Sequence, residues 1–132
     1  DFELATNISR SVLPESYKLK DVTYNLSHLG LLLKACEKED CELLKKALKD
    51  KLHEPYREKL VVGLDKIRDK FKNNNDVYGT VLSGAGPSVA VISNNDMVGE
   101  VHENVKQIWS DLNIKSHVFT FDIENNGATF VE

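Results

Sequence analysis

The sequence predicts an α+β fold of ferredoxin-like layering, in which an antiparallel sheet carries helices packed on one face and a helical hairpin is inserted. Three observations predict it. Apolar residues recur at helical spacing through the first half, short β-branched runs dominate the second, and no repeat, linker or low-complexity tract interrupts them.

Phe2-Glu3-Leu4-Ala5-Thr6 alternates as a half-buried strand does and gives way to an irregular run ending at Leu13-Pro14. From Asp21, placed as an N-cap, Val22, Leu26, Leu29, Leu33 and Cys36 define one apolar helical face. Asp40 caps a second pattern of Cys41, Leu44, Ala47, Leu48 and Leu52, and the short gap predicts an antiparallel helical hairpin. A third helix follows Pro55 with the face Leu60, Leu64, Ile67 and Phe71, and ends at Asn73-Asn74-Asn75-Asp76. Residues 77–83 and 88–92 read as strands around Gly84-Ala85-Gly86-Pro87. Asn94-Asn95-Asp96 turns and caps a helix of about four turns through Val98, Val101, Val105, Ile108 and Leu112. His117 to Ile123 alternates again, and Asn126-Gly127 predicts a tight turn into Ala128-Thr129-Phe130-Val131, a terminal hairpin.

The 132 residues suit one globular domain, residues 1–132, with 41% apolar and 29% charged residues. A net charge of −4 offers no basic excess for nucleic acid or an anionic membrane, and no apolar run approaches the roughly 20 residues that span a bilayer. Cys36 and Cys41 sit at neither a zinc nor a disulfide spacing, so a reducing cytoplasm is the expected compartment. The chain starts at Asp1, without methionine and inside an apparent strand, which reads as a piece of a longer protein.

Three strings could carry chemistry. In Leu82-Ser83-Gly84-Ala85-Gly86-Pro87-Ser88, two glycines one residue apart let the backbone turn sharply and come close to a ligand, and exposed amides there suit an anion. The string is neither a Walker loop, lacking the Lys-Ser or Lys-Thr, nor a dinucleotide fingerprint, because Val89 replaces the third glycine. A plain strand-to-strand turn is the simpler reading. Thr6, Ser9 and Arg10 place a guanidinium, a planar fork for a carboxylate or phosphate, where an ordinary surface arginine would serve as well. His53-Glu54-Pro55-Tyr56-Arg57 adds a second guanidinium, unless Tyr56 merely packs while His53 and Arg57 serve helix ends. His28, His102 and His117 have no metal-ligand spacing, so no metal is assigned.

Together these strings resemble the C-terminal half of the homoserine kinase family, within the superfamily of galactokinase, mevalonate kinase and phosphomevalonate kinase. The resemblance runs from about Phe2 to about Ile92 and more loosely to the end. It is carried by residues 6–14, similar to the family's Thr-x-x-x-Arg-x-x-Leu-Pro segment, by Leu52-His53-Glu54-Pro55-Tyr56-Arg57, similar to its His-x-Pro-Tyr-Arg segment, and by Leu82 to Ser88, similar to its third motif. Asn25-Leu26-Ser27 lies between the first two. Asn7-Ile8-Ser9 stands where many members carry a charged pair before the arginine.

The resemblance implies transfer of the ATP γ-phosphate to L-homoserine on the route to threonine. Arg10 and Arg57 would hold the homoserine carboxylate, Thr6 would line the pocket, and Ser83, Gly84, Ala85 and Gly86 would form a loop beside the phosphate. The family's ATP-binding loop and its Mg²⁺-associated acidic residue belong to an N-terminal domain with no counterpart in these residues. No catalytic residue and no bound cofactor is therefore expected in this chain, and it should be inactive alone. The resemblance leaves a homodimer open. Two alternatives stand: another kinase of the superfamily, or a non-enzymatic ferredoxin-like module that binds an amino acid or dimerises.

Overall fold

In the computed structural model, residues 6–128 and 130 are described, with Thr6 described in its backbone alone. The expected first strand at Phe2–Thr6 therefore lies outside the described residues save for Thr6, which begins a helix. The run expected to be irregular folds as α1 (Thr6–Ser11), closed by Leu13 N–H donating to Arg10 O at 3.1 Å. The serines and arginine there have no strand partner, and the Ser11 hydroxyl turns back to Ile8 O at 2.9 Å, a local bond that suits a short helix.

α2 (Leu19–Lys38) begins two residues before the expected cap, with Lys18 at the N-cap and Asp21 in the first turn. Its inward side is also rotated from the expected one. Asn25, His28, Leu32 and Ala35 turn inward, while Leu26, Leu29 and Leu33 are 66%, 54% and 65% exposed. Two things set this rotation. Ala35 lets α3 (Cys41–Ala47) come close, and Asn25 is anchored beyond the hairpin by bonds to Asp50 and the Lys51 amide. Burying a satisfied amide this way outcompetes a leucine stripe that has no opposing surface among the described residues. The hairpin itself is as expected, and Asp40 caps α3 by accepting from Leu43 N–H at 2.9 Å.

The expected third helix is three pieces: α4 (Glu54–Arg57), a 3₁₀ turn (Glu58–Leu60) and α5 (Leu64–Phe71). Gly63 makes the break at φ 87°, where a side chain would be strained, and a Cβ there would meet Leu112 Cδ1 at 2.8 Å. The turn is locked by Trp109 Nε1–H donating to Val62 O at 3.0 Å.

β1 (Val77–Leu82) and β2 (Val89–Ser93) pair antiparallel, with Leu82 opposite Val89 and a bulge between Val77 and Gly79. Asn94 caps a 3₁₀ turn (Asn95–Met97) that runs into α6 (Val98–Asp111), the expected four turns. The core gathers Ile67, Phe71, Val77, Val101 and Val105, so α5 and α6 cover one side of the hairpin. The layering is α+β, with two strands in the sheet among the described residues.

The expected strand at His117–Ile123 is a correction. Alternating burial runs through Ile114, Ser116 and Val118, which packs on the core, and stops there: residues 119–123 are exposed, Phe121 at 84%, and no ladder forms among the described residues. Period-two burial needs only a surface to lie on, whereas a strand needs a neighbour offering free amides and carbonyls, and no described residue supplies one. The Asn126-Gly127 turn is present, with Gly127 at φ 71°. The strand expected after it falls partly outside the described residues.

Candidate functional site

The three strings singled out in the sequence converge through Ser9, a member of the second of them. Fully buried on α1, Ser9 donates its hydroxyl to Ala85 O in the glycine loop at 3.0 Å and accepts Arg57 Nε–H on its carbonyl at 3.0 Å. One residue thus contacts both walls of a cleft of about 440 Å³, lined by Asp50, His53, Glu54 and Arg57 on one side and by Leu82 and Gly84 on the other. Ser9 was grouped in the sequence with Thr6 and Arg10, but its burial could not be read from a polar run.

The bond to Ser9 has a chemical consequence for Arg57. A guanidinium presents five N–H donors in a fixed plane. With Nε committed to a carbonyl, the side-on face is used, and the two Nη groups remain as an end-on pair that matches the two oxygens of a carboxylate. Arg57 is half-buried, so its fork is held by its neighbours and loses little freedom on binding. Arg10, next in the chain to Ser9, is exposed and has no ion pair among the described residues. It sits in the last turn of α1 and does not line the cleft. The Thr6 side chain lies outside the described residues.

The α4 segment is too short to hold itself, because a single helical turn costs more order than it returns. Asp50 supplies what is missing. Its carboxylate accepts from the amides of Leu52 (3.2 Å), His53 (2.6 Å) and Glu54 (2.5 Å) and from the Asn25 side-chain amide. Partial burial pushes the Asp50 carboxyl up, but these four donors outweigh it and hold it below its ordinary value. Asp50 was not singled out in the sequence, where it stands four residues before α4 and not at its N-cap. The His53 ring lies 3.6 Å from Asp50, and Tyr56 meets Tyr17 edge to face with ring centres 6.1 Å apart.

Across the cleft, Gly84 at φ 65° and Gly86 at φ 83° turn the chain between β1 and β2, and the Gly86–Pro87 peptide is cis. Ser83 N–H donates to Ser88 O at 2.9 Å and Gly86 N–H to Ser83 O at 3.3 Å, closing the turn. The amides of Gly84 and Ala85 have no acceptor among the described residues, and a Cβ on Gly84 would meet nothing within 4 Å. The loop is an open turn with backbone donors beside an arginine fork, an arrangement suited to anions. No group of three or more metal-ligating side chains occurs among the described residues. None of their helices is long and apolar enough to cross a membrane.

A helix-covered antiparallel hairpin whose glycine turn faces an arginine defines the class, and the chain belongs to the GHMP kinases C-terminal family, which matches residues 32–111. More particularly, its curated relatives include the homoserine kinase of Crocosphaera subtropica, 35% identical over 97% of this chain and 41% of its own length. The homoserine kinase of a Nostoc species is 37% identical over 98% of this chain and 43% of its own length. This chain thus spans about two fifths of the relatives it matches. The crystal structure of homoserine kinase from Cytophaga hutchinsonii superposes with a TM-score of 0.82 at 24% identity, covering 89% of this chain and 38% of that one, and shares its fold.

Proposed function

We propose that the chain is the acceptor-side domain of a homoserine kinase. The whole enzyme would pass the γ-phosphoryl group of ATP to the side-chain oxygen of L-homoserine, which loses its hydroxyl proton, giving O-phospho-L-homoserine and ADP on the route to threonine. The observation that carries this reading is the Arg57 fork, its Nε anchored on Ser9, its Nη groups without an acceptor among the described residues, and its side chain lining a cleft shared with Gly84. Homoserine is a small amino acid whose carboxylate fits that pair, and Arg10 would add a second positive charge. The Gly84 and Ala85 amides would support the transferred group, with Ser83 and Gly86 shaping the turn.

Phosphoryl transfer depends mostly on holding donor and acceptor in line and on stabilising charge, so the acceptor clamp governs rate as well as binding. ATP and Mg²⁺ would be held by a part of the enzyme beyond these residues, and the 132-residue chain alone would not turn over. Both cysteines are free thiols, in keeping with a cytoplasmic enzyme.

The test uses the full-length enzyme. Arg57→Lys keeps the charge but loses the fork, and Arg57→Ala loses both. Breaking a desolvated charge pair costs about 2 to 5 kcal/mol, so Arg57→Ala should raise the homoserine KM at least 30-fold while the ATP KM moves less than threefold. An unchanged homoserine KM in both variants would refute the assignment.

A further inference from the structure

Glu54 belongs to the same string as Arg57 but does a different job. Its Oε1 accepts the Leu82 amide at 2.6 Å, and its Oε2 accepts Arg68 Nη2–H at 2.5 Å. Leu82 is the last residue of β1, two positions before Gly84. The Glu54 carboxylate therefore spans the gap between the helix that carries Arg57 and the strand that leads into the glycine loop.

Arg68, on α5, braces this bridge from behind. Its Nε–H donates to Thr80 O at 3.2 Å and its Nη1–H to Glu58 Oε2 at 2.9 Å, so one guanidinium touches α4, the 3₁₀ turn after it and β1. The side chains of Glu54 and Arg68 are 16% and 29% exposed, which sets them apart from the i,i+3 pairs on the outer helix faces, such as Lys34–Glu37 and Lys72–Asp69. Exposed pairs of that kind hold little in place. A largely covered carboxylate that takes a strand amide on one oxygen and a guanidinium on the other has few alternative positions.

The charge matters too. Glu54 lines the cleft, and an unpaired carboxylate there would repel the carboxylate of an amino-acid acceptor. Arg68, which it shares with Glu58, offsets that charge from the protein side, while the other carboxylate of the lining, Asp50, is taken up by backbone amides and Arg57 and Lys49 supply the positive charge.

We infer that Glu54, held by Arg68, is a positioning residue that sets the spacing between the Arg57 fork and the glycine loop and keeps the cleft receptive to an anion. The inference rests on reading the cleft as the acceptor site. It names a residue that acts through its protein partners, one on each carboxylate oxygen.

The experiment measures homoserine and ATP kinetics of the full-length enzyme carrying Glu54→Gln, Glu54→Ala or Arg68→Gln, with Arg57→Lys alongside. Glu54→Gln keeps an oxygen for the Leu82 amide and should raise the homoserine KM about 3- to 10-fold. Glu54→Ala loses both bonds and should raise it further. Arg68→Gln leaves the carboxylate unneutralised and should raise the homoserine KM at least 10-fold, with partial relief in the double variant Glu54→Gln/Arg68→Gln. The ATP KM should stay within threefold throughout. A purely structural role would lower the melting temperature and the amount of active enzyme while leaving both KM values as they are, and that result overturns the inference. If Arg57→Lys raises the homoserine KM and no Glu54 or Arg68 variant does, the positioning role fails alone. If Arg57→Lys has no effect either, the acceptor-site reading fails with it. Glu54→Gln is nearly isosteric, so its kinetics remain readable should Glu54→Ala fail to fold.

Discussion

Gly79 in β1 lies under Leu48, the C-cap residue of α3, and replacing it with alanine tests how tightly that layer is packed. A Cβ at Gly79 would lie 2.7 Å from Leu48 Cδ1, 3.2 Å from Leu48 Cβ and 3.5 Å from Leu48 Cγ. Comfortable carbon contacts begin near 3.5 Å. The Cδ1 overlap could be relieved by a new rotamer, but the Cβ overlap moves only with the backbone. That backbone is fixed, since Leu48 N–H donates to Leu44 O at 3.0 Å as the last bond of α3. Overpacking of this kind costs about 1 to 3 kcal/mol. Against it stands the stiffer unfolded chain, a gain of about 0.4 to 1 kcal/mol wherever alanine fits the native backbone, and Gly79 is not among the positive-φ glycines. The net loss should be about 0 to 2.6 kcal/mol, near 1.3 kcal/mol at mid-range. For a chain of this size the mid-range value lowers Tm by roughly 5 °C. Calorimetry and urea unfolding would read it, and the double variant with Leu48→Ala should show a favourable coupling of about 0.5 to 2 kcal/mol, because the obstructing side chain is gone. A Gly79→Ala protein as stable as the parent, with no coupling to Leu48→Ala, would refute the packing argument.

Two further outcomes follow from the hydrogen bonds around the cleft. Asp50 has a folded-state carboxyl held below its ordinary value, so its contribution is fully present above the unfolded pKa of about 3.9 and is lost as pH falls through the folded value. The gap in urea midpoint between the parent and Asp50→Asn should accordingly be constant from pH 5 to 8 and close below about pH 4; a gap unchanged down to pH 3 would contradict this. Ser9→Ala removes the hydroxyl that Ala85 O accepts and should cost about 1 to 3 kcal/mol in urea unfolding, while the Ser9 carbonyl still receives Arg57; an unchanged midpoint would show that the serine is not a structural joint.

What could be read from the residues was whatever depends on neighbours in sequence. The β1–β2 hairpin, the Asp40 and Asn94 caps and the four turns of α6 all follow from local spacing and turn chemistry, and they stand within a residue or two of expectation. The rotation of α2 was not legible, because it depends on which side meets α3 and on where Asn25 finds Asp50, 25 positions away. The Gly63 break lay inside an unbroken helical pattern, and only the close approach of Trp109 and Leu112 explains it. At the cleft, the two arginine strings and the glycine loop were visible as residue types. The sequence could not show that a buried serine links them, that Arg57 has one donor spent, or that Arg10 is exposed and outside the cleft lining.

The two bonds of Ser9 span 48 and 76 positions along the chain. Closing loops of that length carries an entropic cost that local helices and hairpins do not bear, although each doubling adds only about 0.6 kcal/mol. Folding order follows from this. The α2–α3 pair and the β hairpin can form from nearby residues, whereas the Arg57 fork acquires its orientation only when α1, α4 and the glycine loop have docked together. A partly folded chain can hold most of its helix and its hairpin and still present no organised fork. Recognition of a carboxylate would then appear late and all at once during folding, which makes ligand binding a stricter gauge of native assembly than helical signal.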